Sequence, residues 1–161
     1  MQQIFSGLAD NDFPGFFAHV VEDVDWNVRG THPLAGMYHN KTIFVVNSVA
    51  RLAKLVDETK PQAQQIVNIV GGCNEEWAAV EIQSQQITLI GSEFNNTLAW
   101  FTRFNLLHQI VQVRAYLDSA LVTRVVTENE LPTNSTYTTP RLTLEPGYGG
   151  IPNLTGILGP S

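Results

Sequence analysis

Hydrophobic residues recur with two different spacings at the start of the chain. From Phe13 to Val24 they recur every three or four positions, which is the spacing of one face of a helix. Asp12 is a candidate N-cap for this segment, and Pro14 suits the first helical turn. Residues 24–30 then alternate apolar and polar, as a strand does, with Trp26 on the buried side.

The remaining pattern predicts a loop, a second helix and a run of strands. Residues 31–40 are interrupted by Pro and Gly, residues 41–58 present a wide apolar face, and Lys60-Pro61 ends that helix. Strands are predicted at 65–70, 76–87, 97–107 and 110–117, and a short helix at 119–127. Because the strands are joined by short connections, we expect antiparallel neighbours. This order predicts an α+β fold, a cone-shaped curved sheet wrapped around helices and enclosing an apolar pocket.

The last part of the chain has a different composition. Residues 131–161 contain five prolines and five glycines, which predicts a non-regular C-terminal tail. The whole chain has 161 residues, which fits one domain. We therefore predict a single domain at residues 1–130, followed by the tail at residues 131–161.

Composition and charge narrow the function classes. The chain is 43% hydrophobic and 15% charged, which excludes an intrinsically disordered protein. A net charge of −6 disfavours a nucleic-acid partner, and no apolar stretch approaches the roughly 20 residues of a membrane helix. The N-terminus lacks the features of a signal peptide, and Cys73 is the only cysteine, so we predict a cytoplasmic protein. No two His residues have the i, i+4 spacing of metal ligands on a helix, and no Gly-rich phosphate-binding loop follows a strand. We therefore expect no metal and no cofactor.

Two segments resemble the SnoaL-like proteins of the nuclear-transport-factor-2-like superfamily. Residues 25–36, DWNVRGTHPLAG, resemble the first strand and following loop of that family. Residues 110–118, IVQVRAYLD, resemble its last strand, which typically ends in an aromatic residue, an apolar residue and Asp. The resemblance covers roughly residues 5–127 and excludes the tail.

The resemblance implies a conical α+β barrel around a deep apolar pocket, often in a homodimer formed through the sheet. It implies a cofactor-free enzyme of secondary metabolism that acts by general acid/base catalysis on a polyketide or terpenoid intermediate. The reaction would be a cyclisation, isomerisation, dehydration or hydrolysis of a hydrophobic small molecule. The alternative is a non-catalytic protein of the same fold that binds a hydrophobic ligand or a protein partner, because a fold alone does not determine activity.

Three residues are candidate catalytic groups. Asp118 ends the motif of the last strand, where apolar walls would raise the pKa of a general base; the alternative is an N-cap for the helix that follows it. His32 would act as acid, base or orienting group at the pocket mouth, or else bond to backbone beside Pro33. Tyr38 would donate a hydrogen bond to a substrate carbonyl or enolate, or else pack the loop against the second helix.

Four aromatic residues are candidates for the lining of the substrate pocket. All four lie on predicted strands, where aromatic side chains either line a pocket or belong to the hydrophobic core. They are Trp26, Trp100, Phe104 and Tyr116.

Overall fold

The computed structural model describes residues 2–72, 75–130 and 153–160. Cys73 and residues 131–152 of the predicted tail lie outside this range. The helices are α1 (Gln2–Ala9), α2 (Phe13–Phe17), α3 (Lys41–Phe44), α4 (Ala50–Ala53), α5 (Ser119–Asn129) and α6 (Thr155–Leu158), and a π-helical turn (Val45–Val49) joins α3 to α4. The strands are β1 (Val20–Val28), β2 (Gly36–Tyr38), β3 (Ala63–Gly71), β4 (Trp77–Ile87), β5 (Glu93–Phe104) and β6 (Ile110–Tyr116).

The strands form one curved, unclosed sheet in the order β2-β1-β6-β5-β4-β3. Neighbouring strands from β3 to β6 pair antiparallel, as predicted. β1 pairs antiparallel with β2 and parallel with β6. The sheet curves around the N-terminal helices and the α3–α4 segment, so the predicted α+β fold is confirmed.

Side-chain alternation along β4 and β5 separates the two faces of the sheet. Trp100 and Phe104 on β5 point to the concave face, where Trp100 contacts Phe16 of α2. Phe101, between them, is 45% exposed on the outer face. The concave face and the helices bury a main core around Phe16 and Trp26, and a second cluster around Phe94 lies beside α5.

The predicted helix at 13–24 is wrong in its second half. α2 ends at Phe17, and β1 begins at Val20 and pairs there with β6, where Val20 lies opposite Ile110. Val20 and Val24 are both buried together with Trp26. A spacing of four positions suits one face of a helix and one face of a strand equally, so the local pattern does not distinguish the two. Pairing with β6, far away in the chain, makes this segment a strand.

Three further elements differ from the prediction. α1, whose Phe5 is fully buried, was not predicted, and neither was β2, which lies within the predicted loop and pairs with Trp26–Val28 of β1. The second helix ends at Ala53 rather than residue 58, because Val56 leaves it to form a β-bridge with Thr88.

The C-terminal segment that the structure describes returns to the N-terminal helices. α6 packs on α2, and the side chains of Leu154, Ile157 and Leu158 contact the main core. This end of the predicted non-regular tail therefore contains one helical turn held by apolar contacts. None of the helices in the described ranges is long and apolar enough to cross a membrane.

Candidate active site

A cavity of about 210 Å³ lies between the concave face of the sheet and the helices. Ile82 and Leu98 line it from the sheet, Val49 and Leu52 line it from the α3–α4 segment, and Ile157 of α6 adds to the wall. These side chains are apolar, so the cavity suits a ligand with a hydrocarbon body.

Two of the four predicted pocket residues lie in the wall of the cavity. The ring of Trp26 stacks on Phe44 at 3.9 Å between centroids, and Trp100 meets Trp26 edge-on at 5.2 Å. Both tryptophans line the cavity together with Phe44. The three rings therefore pack against one another by stacking and edge-on contact and form one continuous aromatic part of the wall.

The other two predicted pocket residues do not lie in that wall. Phe104 is 6% exposed and packs in the main core, edge-on to Phe5. Tyr116 lies on the outer face of the sheet, where it is 44% exposed and contacts Phe101. The alternation along β6 explains this correction, because Ala115 points to the cavity and Tyr116 therefore points away from it.

Asp118 does not lie at the floor of the cavity. Its side chain is exposed, and it accepts a hydrogen bond from the backbone N–H of Leu121 at 3.0 Å as the N-cap of α5. Apolar walls do not enclose this carboxylate, so the environment expected for a general base in the pocket is missing. The structure matches the second of the two interpretations drawn from the sequence, in which the Asp caps a helix.

His32 is 1% exposed, and backbone groups occupy both of its ring nitrogens. Nδ1 accepts from Leu34 N–H at 3.2 Å, and Nε2 lies 3.1 Å from the Arg29 carbonyl. This pattern requires a neutral ring protonated on Nε2. Burial lowers the pKa of His32, and the Arg29 carbonyl opposes that shift. His32 does not line the cavity, so the structure places it as a residue that shapes the loop.

The hydroxyl of Tyr38 is also hydrogen-bonded to the backbone. Its ring is 0% exposed, and its hydroxyl donates to the Leu34 carbonyl at 2.8 Å. Burial raises the pKa of Tyr38 to about 12, although the positive charge of Arg51 opposes the shift. The hydroxyl keeps its proton for this bond, and Tyr38 lies outside the cavity wall.

A row of polar side chains in the wall was not among the predicted site residues. Gln64, Ser84 and Asn96 lie opposite one another on β3, β4 and β5, and all three line the cavity. Ser84 is 8% exposed and Asn96 is 4% exposed. A signal was available in the sequence, because Ser84 shares the alternation phase of Ile82, and Asn96 shares that of Leu98.

Glu58 is the one charged side chain that lines the cavity among the described residues. It is exposed, which places it at the open end. Within the described ranges, no group of three or more His, Cys, Asp or Glu side chains has an arrangement that would hold a metal ion. The described part of the wall therefore offers hydrophobic surface, neutral hydrogen-bonding groups and one carboxylate.

Comparison with known proteins gives two similar sequences that share a name. The chain is 32% identical over 149 residues to the dimerizing cyclase phiC of a fungal species, covering 92% of this chain and 65% of that protein. It is 30% identical over 141 residues to the dimerizing cyclase tstC of Talaromyces stipitatus, covering 88% and 62%. The chain thus spans slightly less than two thirds of the length of these curated relatives. No family model matches it.

A solved structure shares the fold. An NTF2-like protein of Burkholderia thailandensis superposes with a TM-score of 0.63 at 17% identity, covering 77% of this chain and 92% of that one. At this identity the likeness concerns the fold alone. It agrees with the curved, unclosed sheet described above.

The buried neutral His32 predicts a pH-dependent stability. Because its pKa in the folded chain is lower than the ordinary value of 6.5, the unfolded chain binds the proton more readily. The stability that neutral His32 contributes is complete above that ordinary value and is lost as the pH falls below it toward the lowered folded pKa. Urea unfolding at several pH values should show that the free energy of unfolding falls more steeply toward acid pH in the wild type than in His32→Gln. The His19→Gln variant, at an exposed position, is the control and should follow the wild type. Identical pH profiles for wild type and His32→Gln would contradict the prediction.

The cap role of Asp118 predicts a difference between two substitutions. Asp118→Ala removes the acceptor for Leu121 N–H and should lower the free energy of unfolding by about 1 kcal/mol, whereas Asp118→Asn keeps a good N-cap and should stay near the wild type. Chemical denaturation measures both. Glu128→Ala, in the last turn of α5, is the control. Equal losses for Ala and Asn would show that the charge, rather than the cap, matters.

Proposed function

We propose that this chain, a member of the nuclear-transport-factor-2-like superfamily, is a cyclase-type enzyme of secondary metabolism that binds a largely apolar polyketide or terpenoid intermediate in its cavity. The observation that carries the proposal is the apolar cavity with a neutral polar row, in a chain similar to two proteins named dimerizing cyclase. The proposed reaction closes a ring and needs no cofactor.

Confinement supplies the first part of the proposed mechanism. A flexible chain forms a ring only when its two reacting carbons meet, and holding them in contact removes much of that entropic barrier. The Trp26–Phe44 stack and the edge of Trp100 form a fixed wall against which a folded hydrocarbon chain packs. The apolar wall also keeps water away from reactive carbons.

Proton transfer is assigned to a different residue from those expected. The polar groups of His32 and Tyr38 are occupied by backbone hydrogen bonds, and the Asp118 carboxylate caps α5. Glu58 is the titratable group in the described part of the wall. At the open end it is in reach of solvent, and we assign it the exchange of a proton with the bound intermediate.

A non-catalytic ligand-binding role is the second candidate. The deep part of the wall that the structure describes holds no titratable side chain, and a protein that only binds a hydrophobic ligand needs none. Binding without product formation would favour this second candidate.

A homodimer through the outer face of the sheet completes the proposal. Phe101 and Tyr116 contact each other there at 5.8 Å between centroids and are 45% and 44% exposed. Arg114 stacks over Trp77 on the same face. Exposed aromatic side chains of this kind are enriched in protein interfaces. The word dimerizing in the relatives' names refers either to assembly of two protein chains or to joining of two substrate molecules. The Phe101→Glu variant tests the first meaning, and product analysis with Leu98→Trp tests the second.

Filling the cavity should stop the reaction. Leu98→Trp places a larger side chain in the wall and should abolish both binding and product formation, because the substrate loses its space. The probe is the N-acetylcysteamine thioester of 3-oxodecanoic acid, a soluble stand-in for a polyketide chain. Calorimetry measures binding, and mass spectrometry detects ring-closed or joined products.

Thr97→Trp is the matched control for this experiment. It adds the same side chain one residue earlier, where alternation directs it to the outer face, and it should behave as the wild type. Wild-type levels of product from Leu98→Trp, with its fold intact by circular dichroism, would refute the cavity as the reaction site. Binding by the wild type with no product from this probe would favour the ligand-binding alternative.

A charge on the outer face should disrupt the dimer. Phe101→Glu places a carboxylate at the centre of the proposed interface, where its desolvation opposes association, so the variant should elute as a monomer in size exclusion with light scattering. Leu106→Glu, in the turn after β5 and 98% exposed, should remain dimeric. A monomeric wild type, or a dimeric Phe101→Glu variant, would contradict the proposed assembly.

A further inference from the structure

Two neighbouring polar side chains in the cavity wall have hydrogen-bonding groups without a protein partner. Ser84 on β4 and Asn96 on β5 are directly opposite in register, so their Cβ atoms lie about 5 Å apart on the concave face. Both residues are more than nine-tenths buried, and both line the cavity. Within the described ranges, neither Ser84 Oγ nor Asn96 Nδ2 has a hydrogen-bond partner.

A single backbone contact determines which end of the Asn96 amide is free. The N–H of Asp118 donates to Asn96 Oδ1 at 3.2 Å. A backbone N–H needs an acceptor, so the oxygen end of the amide faces Asp118 and the NH₂ end is left for the cavity. The start of α5 therefore holds Asn96 in the orientation that offers a donor.

We infer that Ser84 Oγ and Asn96 Nδ2 together bind one oxygen atom of the ligand, a ketone, enone or acyl carbonyl oxygen. This inference rests on the proposed function, since it assigns the polar contact of the same cavity. Both groups are able to donate to the same lone-pair region because they project side by side from adjacent strands. Two donors aimed at one oxygen also stabilise negative charge on it if an enolate forms.

The charge of the wall favours a neutral oxygen over an anionic group. No lysine or arginine lines the cavity among the described residues, and the charged side chain that does, Glu58, is negative. A carboxylate or phosphate would lack a cation to offset its desolvation. On one side of the pair, Ile82 lies opposite Leu98. Both side chains are apolar and line the cavity, so they fit the carbon skeleton next to the oxygen.

A pair of small probes isolates this contact. Acetophenone and ethylbenzene have nearly the same shape and differ in the carbonyl oxygen. For each variant, calorimetry or ligand-displacement fluorescence gives the ratio of the two affinities. Ser84→Ala should lower the preference for acetophenone about two- to tenfold relative to the wild type, which is the range expected for one net hydrogen bond. Asn96→Asp keeps the acceptor for Asp118 N–H, removes the donor, and should lower the preference similarly.

The matched control removes a buried hydroxyl that does not face the cavity. Thr102 lies on the same face of β5, but its hydroxyl donates to the Ala78 carbonyl at 3.1 Å, so Thr102→Val should leave the affinity ratio unchanged. The infrared stretch of ¹³C-carbonyl acetophenone gives a second readout. Its frequency should fall on binding to the wild type and fall less in Ser84→Ala, which a merely structural effect would not produce.

The outcomes separate this inference from the proposed function. If both probes bind and neither Ser84→Ala nor Asn96→Asp changes the ratio or the carbonyl frequency, the inference is wrong while the cavity remains a ligand site. If neither probe binds the wild type, the cavity does not take small apolar molecules, and the proposed function fails together with the inference. A reduced ratio in Ser84→Ala alone, should Asn96→Asp not fold, still supports the carbonyl contact.

Discussion

The stack of Trp26 on Phe44 determines how the helices sit on the sheet. Trp26 belongs to β1 and Phe44 to α3, so their contact, at 3.9 Å between ring centroids, sets the separation of the two layers at this end of the sheet. Trp100, Phe17 and Tyr38 contact one or both of these rings. The layers are therefore held close at this end by aromatic packing and remain apart beside it, where the α3–α4 segment and the polar row of the sheet leave the cavity.

Polar groups near the cavity divide into those satisfied by the fold and those left for a ligand. His32, in the loop after β1, and Tyr38, at the end of β2, both hydrogen-bond to the loop backbone at Leu34. Asp118 satisfies the first turn of α5, and its backbone N–H in turn orients Asn96. Unsatisfied buried polar groups are costly in a folded protein. Side chains that keep free donors toward a cavity are therefore better candidates for ligand contact than those whose hydrogen bonds are complete.

The C-terminal helix links the end of the chain to this arrangement. α6 reaches α2, and Ile157 contributes to the same wall as Leu98 and Trp100. Arg51 of α4 pairs with Glu130 at 2.8 Å, just after α5. Both contacts tie late parts of the chain to the helices that cover the cavity. The shape of the binding space thus depends on segments that lie far apart in the sequence.

The sequence alone determined the fold class, the antiparallel run from β3 to β6, the inward direction of Trp100 and the two possible roles of Asp118. These features follow from local alternation and from the preference of Asp for helix N-termini, which a short window of residues contains. The tertiary structure decided the rest. It made residues 20–24 a strand through pairing with β6, and it turned Tyr116 outward. It also used the ring nitrogens of His32 for backbone bonds and brought Ser84 beside Asn96. Each of these features depends on which residues pack or hydrogen-bond together in the folded chain. The spacing of residues within one segment does not specify those partners.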